Sequence, residues 1–195
     1  YQLVYAQKST VFLSEDTHWA DSILSELSDE EKIAQLLMVA AYSNKDDNHK
    51  TYVSELIKKY KIGGLMFLQG GPVRQAKLTN YYQSISKTPL MIAIDAEWGV
   101  AMRLDSCLRF PWQMTLGATS DKSLIYDMGV EIARQCKILG IHINFAPVVD
   151  VNSNPNNPII NNRSFGENPV KVGELSTAYM NGMQDNNVLA CAKHL

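Results

Sequence analysis

The sequence predicts an α/β fold, a (β/α)8 barrel of the TIM type that is only partly present, and two observations carry this prediction. Short apolar segments alternate with segments of helical periodicity about 10 to 18 residues long, a pattern typical of parallel strands buried on both faces. About five such strand–helix units fit into the 195 residues, whereas a closed barrel of eight units needs about 250. Length therefore favours an incomplete barrel over an unusual open sheet.

The first three helices are predicted from capping residues and apolar spacing. Thr17 is placed to cap the first helix, and Ser28 with Glu31 has the pattern of a capping box that opens the second. The second helix is expected to run into the apolar segment at residues 36–41. The third is predicted from apolar residues that share one helical face, namely Val53, Leu56, Ile57 and Tyr60.

The rest of the chain predicts four strands with helices between them. The strands are expected at residues 62–68, 90–94, 141–146 and 188–193, where short apolar runs are bounded by glycine, proline or polar residues. One helix begins at Pro72 and ends near Lys87, a second is capped by Ser120, and a third begins at Asn168 and Pro169.

Alternation within the predicted strand 141–146 assigns its two faces. Ile141, Ile143 and Phe145 are expected to pack against helices. His142 and Asn144 would then face the barrel interior, where His142 is interpreted as a structural residue rather than a catalyst.

Composition narrows the classes of function. Hydrophobic residues make up 46% of the chain and charged residues 19%, which is ordinary for a globular domain. The formal charge is -2 and no run of Lys or Arg occurs, so nucleic acid is not an expected partner. The longest apolar segment, residues 33–42, is too short to span a bilayer, which needs roughly 20 residues. No pair of His or Cys residues has the spacing of a metal site, so no metal is expected.

Residues 1–16 have no periodic pattern and are expected to form an N-terminal extension ahead of the barrel segment, residues 17–195. Val4-Tyr5-Ala6 matches the small-residue pattern of a signal-peptidase site, with Gln7 as the first mature residue. Because the charged and apolar regions of a signal peptide are not seen, these residues would be only its end. The sequence thus predicts an exported protein, periplasmic or extracellular, with a disordered extension on a cytoplasmic protein as the alternative.

Polar residues follow the predicted strands at the end where a parallel barrel carries its active site. These candidates are Asp95, Glu97, Asp150, Lys193 and His194, together with the asparagine-rich segment 152–162. Two of them also have a structural interpretation. Asp95 could cap the turn that follows its strand, and Asp150 is favoured as a residue that hydrogen-bonds to the backbone of its own loop.

Three segments are more specific than a generic barrel requires. They are Ile94-Asp95-Ala96-Glu97-Trp98-Gly99 with Arg103 close behind, Asn144-Phe145-Ala146-Pro147-Val148-Val149-Asp150 leading to Arg163-Ser164-Phe165-Gly166, and Ala192-Lys193-His194. In this order and spacing they resemble the N-terminal barrel domain of family 3 glycoside hydrolases, from about Trp19 to the end of the chain. The Arg-Ser-Phe-Gly form is more similar to the bacterial β-N-acetylglucosaminidase branch than to the β-glucosidases.

The resemblance implies a sugar site without metal or cofactor. Asp95 would accept hydrogen bonds from hydroxyl groups of the sugar in the −1 subsite, and Arg103, Arg163, Lys193 and His194 would join it. Carboxylates and cationic donors form strong charge-assisted hydrogen bonds with hydroxyl groups. Asp95 is expected to have no partner within the protein, so that removing it would change stability little.

The implied parent protein is a retaining β-glycosidase that removes terminal N-acetylglucosamine-type or glucose-type residues from a glycan or cell-wall fragment. The family's acid/base dyad follows the Lys-His pair and its nucleophilic aspartate follows a later strand, so neither is expected within these residues. The chain by itself is therefore expected to be inactive, and its open strand edges make it prone to aggregation.

One departure from the family pattern and two rival functions stay open. Glu97 is followed by Trp98, where the family's branch usually has glycine, and Trp98 could stack on an aglycone or pack within the protein. A Schiff-base aldolase is one rival, because Lys193 is placed at a strand end where burial can make an amine nucleophilic. The other rival is a non-catalytic carbohydrate-binding module. The sequence leaves the oligomeric state open.

Overall fold

The computed structural model describes residues 16–194, in which helices and strands alternate along the chain. The strands in this range are β1 (Met38–Tyr42), β2 (Gly64–Gln69), β3 (Met91–Ile94), β4 (Ile143–Asn144) and β5 (Leu189–Ala190). The helices are α1 (His18–Glu26), α2 (Asp29–Gln35), α3 (Asp47–Tyr60), α4 (Pro72–Ile85), α5 (Gln113–Leu116), α6 (Lys122–Ile138) and α7 (Pro169–Gln184). The predicted N-terminal extension lies outside the described residues except for Asp16, as does Leu195. No helix in this part of the chain is long and apolar enough to cross a lipid bilayer.

The strands form one parallel sheet in which each strand pairs with the next one in sequence, from β1 to β5. Leu65 of β2 is in register with Val39 of β1 on one side and with Ile92 of β3 on the other. A parallel sheet in sequence order with helical crossovers is the beginning of a barrel. The predicted α/β fold with an incomplete TIM-type barrel is confirmed, although β4 and β5 are shorter than predicted.

The apolar segment at residues 36–41, into which the second predicted helix runs, contains the start of the first strand, to which the sequence assigned no separate bounds. Helix α2 ends at Gln35 and β1 begins at Met38. A Cβ atom at Gly63 would lie 1.8 Å from the Gln35 carbonyl oxygen, so only glycine permits the end of α2 to approach the start of β2 this closely. The Gly63 amide donates to the Ala34 carbonyl at 3.0 Å, which ends the helix and directs the chain into the sheet.

The predicted capping residues are found at the start of α2, whereas at α6 the cap is the residue next to the predicted one. The capping box at α2 is confirmed, since the Glu31 amide donates to the Ser28 hydroxyl at 3.3 Å and the Ser28 amide donates to the Glu31 carboxylate at 3.0 Å. At α6 the cap is Asp121 rather than the predicted Ser120, and its carboxylate accepts from the Ser123 amide at 2.9 Å. A carboxylate is favoured there because a helix N-terminus carries partial positive charge.

The two faces of the sheet differ in burial. Leu65 and Phe67 of β2 and Ile94 of β3 face the helices and are fully buried. On the opposite face, which would be the barrel interior, Met91 is 42% exposed and Leu189 is 52% exposed. The helical layer is therefore closed over its face of the sheet, whereas the interior face is open in this part of the chain.

The face assignment of β4 from the sequence was wrong. Asn144 is fully buried on the helix side, where its amide oxygen accepts from the Ala96 amide at 2.9 Å and its amide nitrogen donates to the Tyr179 hydroxyl of α7 at 3.2 Å. Ile143, in register with Ala93, therefore lies on the interior face with Phe145. A polar residue points into the helical layer because it satisfies backbone groups just beyond the end of β3.

His142 does not face the barrel interior either. It lies in a groove of about 580 Å3 at the N-terminal ends of the strands, lined also by Trp19 and Leu24 of α1. Its Nδ1 accepts a hydrogen bond from the Ile92 amide at 3.0 Å, and burial lowers the pKa of its imidazole. These contacts support the interpretation of His142 as a structural residue, and they place it at the opposite end of the sheet from the predicted site.

Helices α6 and α7 cross with their backbones in close approach. A Cβ atom at Gly129 would lie 2.5 Å from the Tyr179 carbonyl oxygen, and one at Gly182 would lie 2.2 Å from the Tyr126 carbonyl oxygen. Both glycines are therefore needed for this crossing, which holds α7 and its Tyr179 side chain against Asn144. The crossing thus supports the sheet directly beneath the ends of β3 and β4.

Candidate functional site

Polar side chains from the loops after β3, β4 and β5 meet at the carboxyl end of the sheet. Asp95 and Glu97 follow β3, Asp150 lies in the segment after β4, and Lys193 and His194 follow β5. The last two segments are joined by backbone hydrogen bonds, from the Lys193 amide to the Pro147 carbonyl at 3.2 Å and from the Val149 amide to the Lys193 carbonyl at 2.7 Å. The sheet therefore brings together residues that are almost 100 positions apart in sequence.

Asp95 forms two ion pairs with cationic side chains of the protein. Its Oδ2 accepts from Arg103 Nη2 at 2.6 Å, and its Oδ1 accepts from Lys193 Nζ at 2.6 Å. Arg103 Nε also donates to the Asp95 carbonyl oxygen at 3.0 Å. The expectation that Asp95 has no protein partner was wrong, because its loop folds Arg103 back onto it. A carboxylate has about four acceptor positions, so about two stay available for donors of a ligand.

Glu97 holds the centre of the site and is fully buried. Its carboxylate accepts a bidentate pair from Arg163, from Nη2 at 2.7 Å and from Nε at 3.0 Å, and it lies 2.8 Å from Lys193 Nζ. These hydrogen bonds raise the pKa of the Arg163 guanidinium. The sequence identifies Glu97 as a polar candidate but assigns it no role. Its position two residues after Asp95 was the available signal, since alternate residues of an extended segment point the same way.

Asp150 orients His194 rather than its own loop. Its Oδ2 accepts from the His194 backbone amide at 3.0 Å and lies 2.7 Å from His194 Nδ1. Because a carboxylate can only accept, Nδ1 carries a proton that it donates to Asp150, and Nε2 lies 3.3 Å from Arg163 Nη2. The favoured interpretation of Asp150, a hydrogen bond to its own loop backbone, was therefore wrong for its side chain.

Arg163 is positioned by the Arg-Ser-Phe-Gly segment. Its Nη1 donates to the Ile159 carbonyl at 3.1 Å, within the loop that leads to it. The Ser164 hydroxyl donates to the Asp150 carbonyl at 2.6 Å and accepts from the Gly166 amide at 3.1 Å, while the Phe165 side chain is buried in the core. The segment is thereby fixed to the loop that carries Asp150, with the guanidinium directed at Glu97.

These residues form one connected group, which we call the charged network. Its seven members are Asp95, Glu97, Arg103, Asp150, Arg163, Lys193 and His194. The structure brings together all five residues predicted to bind sugar, and their contact with a sugar stays a prediction. The network contains three carboxylates together with two arginines and one lysine, which pair with one another. Among the residues from 16 to 194, no cluster of His, Cys, Asp or Glu is arranged to hold a metal ion.

Comparison with known proteins decides the family. A family model described as the glycosyl hydrolase family 3 N terminal domain matches residues 28–195. The chain belongs to glycosyl hydrolase family 3. The match lies within the barrel segment predicted at residues 17–195, and the boundary near residue 17 stays a prediction.

Two relatives of the family 3 domain are named as beta-hexosaminidases. Beta-hexosaminidase A of Pseudoalteromonas piscicida is 43% identical over 155 residues, which are 73% of this chain and 26% of that protein. Beta-hexosaminidase LpqI of Mycobacterium tuberculosis is 31% identical over 172 residues, which are 86% of this chain and 43% of that protein. The chain therefore spans less than half the length of these relatives.

Two solved structures show the same fold. A family 3 beta-N-acetylglucosaminidase from Paenibacillus sp. has a TM-score of 0.77 and 34% sequence identity, covering 87% of this chain and 33% of that chain. The beta-glucoside phosphorylase BglX has a TM-score of 0.86 and 28% identity, covering 94% of this chain and 33% of that chain. The family 3 domain is thus similar both to a hydrolase and to a phosphorylase.

Proposed function

We propose that the full-length protein is a β-glycosidase that removes terminal N-acetylhexosamine residues from a glycan or cell-wall fragment. The observation that carries this proposal is the Asp95 carboxylate, held between Arg103 and Lys193 at the carboxyl end of the sheet. Its unused acceptor positions suit the adjacent hydroxyl groups of a pyranose. The names of the similar hexosaminidases support the choice of an N-acetylated sugar, and a glucose-type residue is the alternative.

The charged network supports the function by its rigidity. Each cation is held by a carboxylate, so donors and acceptors are already oriented before a sugar arrives. Preorganised groups stabilise a transition state more than flexible groups do, because they need not reorganise as charge develops on the ring. Hydrogen bonds to hydroxyl groups that strengthen as the ring distorts toward an oxocarbenium ion increase kcat/KM.

The groups that break the glycosidic bond are proposed to come from other parts of the full-length protein. A retaining mechanism needs a nucleophile and an acid/base on either side of the bond, about 5 Å apart. In the charged network Asp95 and Glu97 already bind cations and Asp150 binds His194. We assign these three carboxylates to binding and positioning. The family resemblance, rather than these contacts, supports our proposal that the reaction proceeds with retention.

We predict that the full-length protein hydrolyses 4-nitrophenyl N-acetyl-β-glucosaminide with a higher kcat/KM than the corresponding β-glucoside. Release of nitrophenolate measures both rates, and the α-anomer of the first substrate is the control. A faster glucoside would overturn the assignment to an N-acetylated sugar. Turnover that requires added inorganic phosphate would favour phosphorolysis, the reaction named for the neighbour BglX. Sugar binding without any turnover would favour the carbohydrate-binding module.

We also predict that Lys193 forms no imine with a carbonyl substrate. Lys193 Nζ lies 2.6 Å from Asp95 and 2.8 Å from Glu97, so the amine is held in two ion pairs within the protein. Imine formation needs an amine that is free to attack a carbonyl carbon. The protein is incubated with small aldehydes and ketones and then reduced with borohydride, and the mass of the Lys193 peptide is expected to stay unchanged. The Lys193→Arg variant, which has no amine at this position, is the control. A reduced adduct mapped to Lys193 in the wild-type protein alone would revive the aldolase function.

A further inference from the structure

A short segment, Asp95-Ala96-Glu97, carries two of the three carboxylates of the charged network. The residue between them, Ala96, is fully buried just beyond the end of β3. Because its backbone is removed from solvent, its amide and carbonyl groups need partners within the protein. The partners that Ala96 finds therefore help to fix where the carboxylates on either side of it lie.

The Asn144 side chain of β4 binds both backbone groups of Ala96. Its Oδ1 accepts from the Ala96 amide at 2.9 Å, and its Nδ2 donates to the Ala96 carbonyl at 3.2 Å. The Tyr179 hydroxyl of α7 donates to the same carbonyl at 3.2 Å and lies 3.4 Å from the Glu97 carbonyl. Asn144 Nδ2 also donates to the Tyr179 hydroxyl at 3.2 Å, so the two side chains act together. We call Asn144 and Tyr179 the backbone clamp.

Both side chains of the backbone clamp are fully buried and restrained. The orientation of the Asn144 amide is fixed, since only its Oδ1 can accept from the Ala96 amide. Burial raises the pKa of Tyr179 well above its ordinary value, so the phenol keeps the proton that it donates. A Cβ atom at Gly129 would lie 2.5 Å from the Tyr179 carbonyl oxygen, so α6 packs directly against the backbone that carries the phenol. The clamp is therefore a rigid support for the segment.

The ion pairs of the charged network hold the same segment through different groups. Arg103 and Lys193 bind the Asp95 carboxylate, and Arg163 binds the Glu97 carboxylate. These contacts join side-chain ends, whereas the backbone clamp holds the peptide groups between the two carboxylates. Long cationic side chains have many rotamers and can follow a carboxylate that moves. The clamp is thus the contact that fixes the segment relative to the sheet.

We propose that the two clamp residues are positioning residues, which fix Asp95 and Glu97 in the geometry that the reaction requires and do not contact the substrate. The inference rests on the proposed function, because it assumes that these carboxylates act on a bound sugar. A misplacement of about 1 Å, even from a change far from the reacting bond, can cost about a hundredfold in rate. Loss of the clamp removes stabilisation of the transition state more than binding of the substrate, so kcat falls while KM changes little.

The test removes one hydroxyl group from the backbone clamp and, as the matched control, one from elsewhere in the core. In the full-length protein, Tyr179→Phe is expected to lower kcat for an aryl N-acetyl-β-glucosaminide by about fivefold to tenfold, with KM within about twofold of the wild type. Tyr82→Phe is the control, because Tyr82 is equally buried and its hydroxyl has no hydrogen-bond partner among the residues that the structure describes. Both kinetic constants of Tyr82→Phe should match those of the wild type.

A second variant removes the rest of the clamp. Asn144→Ala leaves both backbone groups of Ala96 without their side-chain partner, and is expected to lower kcat by about a hundredfold. Tyr179→Phe keeps its ring in the core, so it tests the inference even if Asn144→Ala does not fold. If Tyr179→Phe has a lower melting temperature but the kcat of the wild type, the clamp is merely structural and the inference is wrong.

Hydrogen exchange of the backbone amides at residues 95–97 follows the backbone clamp without any turnover. Exchange there is expected to be faster in Tyr179→Phe than in Tyr82→Phe, and equal rates would overturn the inference. A wild-type protein that hydrolyses no glycoside would overturn the proposed function instead. The exchange rates would in that case still decide whether the clamp holds the segment.

Discussion

Replacement of Asp95 by alanine in the full-length protein is expected to lower kcat/KM for an aryl β-glycoside by at least about tenfold to a hundredfold. The substitution removes the acceptor for the sugar hydroxyl groups, and the loss grows as the ring distorts toward the transition state. The structure adds a second effect. Arg103 loses its carboxylate partner and Lys193 keeps only Glu97, so the free energy of unfolding should fall by about 1–3 kcal/mol.

A matched control for Asp95 is present at the same rim. Asp105 pairs with Arg74 at 2.8 Å, and both side chains are more than half exposed. An exposed ion pair contributes about 0–1 kcal/mol, so Asp105→Ala should leave both the melting temperature and kcat/KM nearly unchanged. If Asp95→Ala lowers the melting temperature but leaves kcat/KM at the wild-type value, Asp95 is a structural residue and the sugar site must lie elsewhere.

Replacement of Gly182 by alanine is expected to destabilise the packing of α6 against α7. The new Cβ would meet the Tyr126 carbonyl oxygen at 2.2 Å, so α6 and α7 must move apart. Strain of this kind typically lowers the free energy of unfolding by about 1–3 kcal/mol. Separation of the helices should also loosen the contact between Tyr179 and Asn144, which supports the ends of β3 and β4.

Gly173 lies in the same helix and is the control. A Cβ atom there would have no neighbour within 4 Å, so Gly173→Ala should raise the free energy of unfolding by up to about 1 kcal/mol through helix propensity. Thermal melts of the two variants should therefore move in opposite directions from the wild type. Equal melting temperatures would show that α6 and α7 can move apart without loss of stability. That result would contradict the requirement for glycine at their crossing.

Much of the architecture could be predicted from sequence because it depends on local patterns. The strand at residues 62–68 and the helix that begins at Pro72 are both found, since apolar spacing and a proline at the first helical turn act over a few residues. The parallel-strand rule then predicted that the polar residues after β3, β4 and β5 would meet, because strand ends converge at one edge whatever the details of packing.

The errors share a different origin, namely contacts between residues far apart in sequence. The end of α2 depends on Gly63. The direction of the Asn144 side chain, toward the helices, depends on Tyr179. Alternation and capping patterns contain neither partner. In the site, the ion pair between Asp95 and Arg103 was missed because the rule for strand ends locates residues without stating which of them pair.

If the charged network binds a neutral sugar, as proposed above, its balance of charge has a consequence for how that sugar enters and leaves. Each cation keeps a carboxylate partner whether or not a hydroxyl group is also bound, so no ion has to accompany the sugar in either direction. Such a pocket is close to electrically silent at a distance, and approach of an uncharged ligand is governed by diffusion and shape rather than by attraction. Selectivity then arises only at contact, from the spacing of hydroxyl groups against a fixed array of donors and acceptors.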